Sequence, residues 1–184
     1  MRIIGGNSRG TKLYTLEGIN TRPTLDRVKE SMFNILQNNI KERTVLDLFA
    51  GSGAIGLEFI SRGAKEATLC EKEKKAISVI NKNIEKMKVQ SKVKIAFMDY
   101  RRFLETTNQK FDLIFLDPPY ETNFISDSVE LILKKNLLNN DGIIIAETDQ
   151  DERVLEELKY IEIEIEIYDI RKYGRAKLIF MRKG

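Results

Sequence analysis

The sequence predicts one α/β domain whose mostly parallel sheet carries helices on both faces. Three observations predict it. Short apolar runs alternate with longer amphipathic ones from Thr44 onward, the short runs are almost wholly apolar, and a glycine-rich turn joins the first of them to the helix that follows.

In chain order, residues 1–43 read as a basic arm, beginning RIIGGNSRGTKL, and a helix packed on a main domain of residues 44–184. Leu25, Val28, Met32, Ile35 and Leu36 mark the apolar stripe of that helix, and Pro23 with Thr24 suits its opening. TVLDLF (44–49) reads as a buried strand, Ile55 to Arg62 as a helix, and EATLCE (66–71) as the second strand. Lys74 to Met87 follows as a helix with Ile77, Ile80, Ile84 and Met87 on one face. VKIAF (93–97), a short helix near 100–106, FDLIFLD (111–117), a helix near 124–136 and IIIAE (143–147) continue the alternation. After a helix near 150–159, IEIEIEIYDI (161–170) alternates strictly. It buries Ile163, Ile165 and Ile167 and turns Glu162, Glu164 and Glu166 outward, as on an edge strand protected by charge. A short turn leads into YGRAKLIFMRK, so these last two strands are antiparallel neighbours and one strand of the sheet is reversed.

The 184 residues hold no histidine and one cysteine, which removes the commonest general base, the commonest metal ligand and any internal disulfide. No metal centre is expected, and Cys70 in its apolar run is a poor nucleophile. No apolar run approaches the roughly 20 residues of a membrane span, and MRIIGG is too soon broken by glycine to serve as a signal peptide, so a cytoplasmic protein without membrane contact is expected. Lys and Arg outnumber Asp and Glu by 8 to 4 in residues 1–43 and by 6 to 0 in residues 171–184, and are outnumbered 17 to 24 between them. Basic ends around an acidic middle are one footprint of a phosphate-bearing partner.

Gly51, Gly53 and Gly56 form G-x-G-x-x-G between strand and helix, and Glu71 ends the next strand twenty residues after Gly51. The glycines let a nucleotide approach the backbone, and a carboxylate accepts two ribose hydroxyls. Asp47 sits just before the loop, where it would repel a pyrophosphate but tolerate a sulfonium and an ammonium. The cofactor expected is therefore S-adenosylmethionine, with Asp99, after the third strand, placed to accept from its adenine amine.

LDPPY (116–120) ends the fourth strand beside this loop. Its prolines force extended geometry on the residues before them and remove two donors, so the turn presents mainly acceptors. An exocyclic amine offers only donors. Hydrogen bonds from it to the Asp117 carboxylate and the Pro118 carbonyl would localise its lone pair for attack on a methyl group, with Tyr120 stacked on the base. Catalysis by positioning and fixed acceptors fits a chain without histidine.

With these residues placed, the chain resembles the RsmD family of class I S-adenosylmethionine-dependent methyltransferases, which act on guanine N2 of 16S ribosomal RNA. RPTLDRVKESMFNIL, LDLFAGSGAIGLEFISRGA, Glu71, DYRRFL, LDPPY and a late KYG stand in family order across nearly the whole chain. The resemblance implies a Rossmann-like seven-stranded sheet in the order 3-2-1-4-5-7-6, the last strand antiparallel, with helices on both faces. It implies a cofactor site of Asp47, Phe49, Ala50, Gly51, Ser52, Gly53, Glu71, Lys72, Asp99, Tyr100 and Asp117, with Arg22 or Thr24 holding the methionine carboxylate. Asp117, Pro118, Pro119 and Tyr120 would be catalytic. In that topology the last hairpin opens beside LDPPY, so Arg171, Lys172 and Arg175 would flank the target base, while Arg2, Arg9 and Lys12 of the arm add positive charge. A monomer acting on 16S ribosomal RNA, free or in the assembling small subunit, follows.

Rivals divide by chemistry. A protein-glutamine methyltransferase would prefer Asn at 117, since an amide needs a donor as well as an acceptor. An adenine-N6 methyltransferase shares the acceptor corner but usually carries an added recognition domain. A nicotinamide-dependent oxidoreductase would use the glycine loop and leave LDPPY unexplained. A non-catalytic RNA-binding module would keep the fold with a dead site.

Overall fold

The computed structural model describes residues 1–16, 23–119 and 122–184. The strands are β1 (Thr44–Asp47), β2 (Glu66–Glu71), β3 (Val93–Phe97), β4 (Phe111–Leu116), β5 (Leu138–Thr148), β6 (Ile165–Tyr173) and β7 (Ala176–Lys183). They form one sheet in the order β3-β2-β1-β4-β5-β7-β6. β7 is antiparallel to both its neighbours and every other pair is parallel, which bears out the predicted topology.

Because successive strand residues point to opposite faces, each apolar strand feeds two cores. On one face Val45, Leu69, Leu113, Phe115 and Ile145 pack against α1 (Pro23–Leu36), α2 (Ala54–Ser61) and α3 (Lys74–Met87). On the other, Leu46, Ile114, Leu116, Ile144 and Ala146 meet α4 (Tyr100–Thr106), α5 (Phe124–Lys134) and α6 (Asp151–Leu158). The stripe of α1 is buried at Val28, Met32 and Leu36 as predicted, and Phe33 joins it, its ring edge-on to Phe59 at 4.7 Å. Each such side chain contributes roughly 1.5–3 kcal/mol by leaving water. Ile3 and Leu13 of the arm enter the same core, carried by a short antiparallel pairing of Arg2 with Lys12.

Two strands differ from the sequence reading. β5 begins at Leu138, not Ile143, because the register with β4 shifts between Phe111 and Leu113 and this irregularity absorbs the NNDG segment, which has the composition of a loop. β6 begins at Ile165, so Ile163 lies outside it, and Ile163, Ile165 and Ile167 are half-buried because the strand is at the sheet's edge. The three glutamates do face solvent, and Glu166 pairs with Arg182 of β7 at 2.7 Å. Among the described residues no helix is long and apolar enough to cross a membrane.

Candidate active site

Parallel strands bring the carboxyl ends of β1, β2, β4 and β5 to one edge, where ligands bind in open α/β sheets. The three glycines of the loop have separate tasks. Gly51 (φ 55°) lies in the left-handed region with open space where a side chain would stand. Gly53 (φ 78°) makes the turn and caps α2. Gly56 lets α2 close on the sheet, since a Cβ there would stand 2.1 Å from a Leu69 methyl. The Gly56 N–H also donates to Asp47 Oδ2 at 3.1 Å.

A cavity of about 470 Å³ opens at this edge. Of the predicted residues, Phe49, Gly51, Glu71, Lys72, Asp99, Tyr100, Asp117, Pro118 and Pro119 line it. Glu71 is fixed by the loops it joins, accepting from Gly51 N at 2.9 Å, Lys72 N at 2.7 Å and Glu73 N at 2.8 Å. Asp99 caps α4, one oxygen accepting from Arg101 N at 2.9 Å. Tyr100 donates its hydroxyl to Asp127 at 2.9 Å, which with burial pushes the phenol's pKa upward. Its ring joins Phe49 and Phe124 in an aromatic cluster with centroids 4.8–6.2 Å apart. Phe124 was not foreseen, nor were Met98 and Cys70, which also line the cavity. Burial pushes the Cys70 thiol up to about 12, so it is inert at neutral pH.

A second cavity of about 290 Å³ lies between the sheet, α1 and the glycine loop. Phe49, Gly51 and Asp117 border both cavities, while Asp47, Ala50 and Ser52 line only the second. Gly53 lines neither. Glu147, the last carboxylate of IIIAE and unforeseen as a site residue, also faces the second cavity. Burial raises the pKa of both Asp47 and Glu147 to about 7; for Asp47 the Gly56 N–H partly offsets it and the charge of Glu71 adds to it. Asp117 is exposed at the mouth of the cavities. Its carboxyl is pushed well above the usual range by desolvation and by the charges of Glu147 and Asp47.

Pro118 is buried and Pro119 exposed; the Pro119 carbonyl accepts from the Thr122 hydroxyl at 2.7 Å. No described residue pairs with Asp117 as a cation. Tyr120 and Arg22 lie outside the described residues, as does the side chain of Thr24.

The β6–β7 turn opens on the same edge, since Lys177 stands opposite Thr148 at the end of β5. Arg171 and Lys172 are exposed but already face carboxylates, Arg171 with Asp169 at 2.9 Å and Lys172 with Asp151 at 3.1 Å; Arg175 is exposed in the turn. In the arm, Arg2 and Lys12 are exposed, and the backbone of Tyr14 is bound to Asn83, which also donates to the Ser52 carbonyl of the glycine loop at 3.0 Å. Arg9 lies elsewhere. Its hairpin tip is tied to the last residue of α2, Asn7 N donating to Ser61 O at 2.8 Å. Because α2 starts at the glycine loop and runs back along the sheet, that end lies at the opposite edge from the cavities.

S-adenosylmethionine fits this arrangement. The open space beside Gly51 admits a ligand close to the backbone, Glu71 and Asp99 are acceptors around the first cavity, and Asp47 in the second suits a sulfonium and an ammonium. Glycine loop, strand-end carboxylates and a sheet with one reversed strand define the class: an S-adenosylmethionine-dependent methyltransferase. The chain belongs to the family described as conserved hypothetical protein 95, whose model matches residues 1–182, and the family resemblance read from the motifs is borne out.

A Haemophilus influenzae protein named ribosomal RNA small subunit methyltransferase D is 37% identical over 160 residues, covering 84% of this chain and 82% of that one. The Escherichia coli K12 protein of the same name is 34% identical over 149 residues, covering 81% and 75%. Among solved structures, the Escherichia coli protein yhhF, described as a methyltransferase, matches with a TM-score of 0.87 at 30% identity, covering 100% of this chain and 97% of that one.

Proposed function

We propose that the protein transfers a methyl group from S-adenosylmethionine to the exocyclic N2 amine of a guanine in 16S ribosomal RNA, and works in the cytoplasm as a monomer on free RNA or the assembling small subunit. One observation supports the choice of target: Asp117 borders both cavities and Pro118 the first, and an ionised Asp117 carboxylate with a proline carbonyl offers an incoming base acceptors. An amine satisfies such a corner, whereas an amide would leave its carbonyl without a partner.

In this reading Glu71 holds the ribose hydroxyls, Asp99 accepts from the adenine amine, and Phe49 and Tyr100 pack on the adenine. Lys72, Ala50, Ser52 and Gly53 shape the walls and turn around it. Asp47 faces the cationic end, and Arg22 or Thr24 holds the methionine carboxylate. Bound there, S-adenosylmethionine supplies an electrophilic methyl group. Asp117 and the Pro118 carbonyl orient the target amine so that its lone pair points at that group, Pro119 keeps the turn rigid, and Tyr120 stacks on the base. Each fixed acceptor acts without reorganising at the moment of reaction.

Phosphate contacts from Arg171, Lys172 and Arg175, with Arg2 and Lys12 of the arm, would hold a folded RNA while one unpaired base enters the pocket. Arg9, at the far edge, would serve only an RNA that wraps the molecule. Replacing Asp117 by Ala tests the reading. Methyl transfer falls at least about a hundredfold while cofactor binding by calorimetry is retained; an undiminished rate rejects the catalytic role.

A further inference from the structure

At or next to the ends of three adjacent strands, β1, β4 and β5, a carboxylate stands on the same face. Asp47 stands opposite Phe115 in the β1–β4 register, and Phe115 stands opposite Ile145 in the β4–β5 register. Asp117 and Glu147 lie two residues further on and therefore share that face. All three line the second cavity. Glu147 is only 7% exposed, yet no described residue donates to it or pairs with it. Of the cationic groups whose residues line that cavity, the Met1 α-amino group and Lys29, the Lys29 ammonium is held elsewhere, 2.8 Å from Glu58 and 2.9 Å from the Arg2 carbonyl. A buried carboxylate beside two others opposes folding unless something outside the fold uses it.

We propose that Glu147 is a positioning residue for methyl transfer that acts through Asp117, making Asp117 the stronger acceptor of the proton released by the target nitrogen. The inference rests on the reading of Asp117 as the acceptor at that amine. The amine's lone pair forms the N–C bond as the C–S bond breaks and leaves its electron pair on sulfur, so the methylated nitrogen carries a positive charge. Its N–H bond toward Asp117 then breaks, the electrons stay on nitrogen, and the proton passes to an Asp117 oxygen. The negative charge of Glu147 stabilises the protonated Asp117, and water at the cavity mouth takes the proton once the RNA leaves. The other charged groups on this cavity, besides Asp117, are Asp47 on β1, Asp26 and Lys29 on α1, and the α-amino group of Met1. On β7, Lys177 is occupied by Asp151 at 3.1 Å.

Two measurements test this. In carbon-13 NMR titrations of the side-chain carboxyls, with the Asp117 signal assigned through D117N, the Asp117 pKa falls by at least about one unit in E147Q and stays near the wild-type value in the charge-retaining E147D. In single-turnover methylation, the acid limb of the rate profile moves to lower pH with it and the plateau falls about tenfold, while S-adenosylhomocysteine affinity changes less than about threefold. The same Asp117 titration in E147Q and wild type overturns the proposal, as does an equal shift in E147D, or a loss of rate with the acid limb unmoved. Failure of the underlying reading shows differently, as an undiminished rate in D117A whatever E147Q does.

Discussion

Lys29 Nζ lies 2.8 Å from Glu58 Oε2, and neither side chain reaches solvent appreciably, at 5% and 0% exposed. The same carboxylate accepts from Arg62 Nε at 2.8 Å and from the backbone N–H groups of Ile4 and Gly5 at 2.9 and 2.8 Å. One side chain of α2 thus ties down both α1 and the arm. Burial works against its charge, but the Lys29 ammonium and the bonds from Lys29, Ile4 and Arg62 outweigh it and hold the carboxyl below its ordinary 4.5.

Glu58→Ala should therefore cost roughly 3–5 kcal/mol in urea unfolding, because it strands a buried ammonium and two backbone donors. The pH dependence has a definite sign. A depressed carboxyl contributes stability that is complete above about 4.5 and lost as pH falls through the folded value, so amide exchange at Ile4 and Gly5 should accelerate in wild type only in acid.

Asp47 works the other way. Its pKa is raised from 3.8 to about 7, so the folded protein binds more protons than the unfolded chain between these values, and this contribution to stability falls as pH rises across the window. Asp47→Asn keeps an acceptor for Gly56 and should gain on the order of 2–4 kcal/mol at pH 8, with little gain near pH 4. The same variant should lose at least about tenfold in S-adenosylhomocysteine affinity by calorimetry.

Arg171→Ala with Lys172→Ala should weaken RNA binding, reduce the slope of log affinity against log salt by roughly 1–2, and spare cofactor affinity. Both residues are exposed at one end of their ion pairs, so thermal unfolding should change little. An unchanged salt slope removes them from the RNA surface.

The fold was legible because strands covered on both faces cannot hide among polar residues: TVLDLF, EATLCE and FDLIFLD have no other use for so many apolar side chains in a row. The glycine loop and LDPPY were legible because each needs an unusual backbone. Glu147 was not. A carboxylate closing IIIAE looks like the solvated end of a strand until the register sets it beside Asp117. Glu58 was hidden for a similar reason, since AIGLEFIS places it on a helix as any surface glutamate would be, and its partners Ile4 and Gly5 come from 54 and 53 residues away. The partners of Arg171 and Lys172 were equally invisible, and NNDG was read as a loop because a strand irregularity has a turn's composition.

The most direct test of an amine-accepting corner beside the methyl donor is nucleoside analysis of small-subunit ribosomal RNA, taken from cells lacking the protein and incubated with it and labelled S-adenosylmethionine. The label should appear in N2-methylguanosine and be absent with the Asp117→Ala variant. Label in N6-methyladenosine, or label at the same rate without the Asp117 carboxylate, would contradict the account.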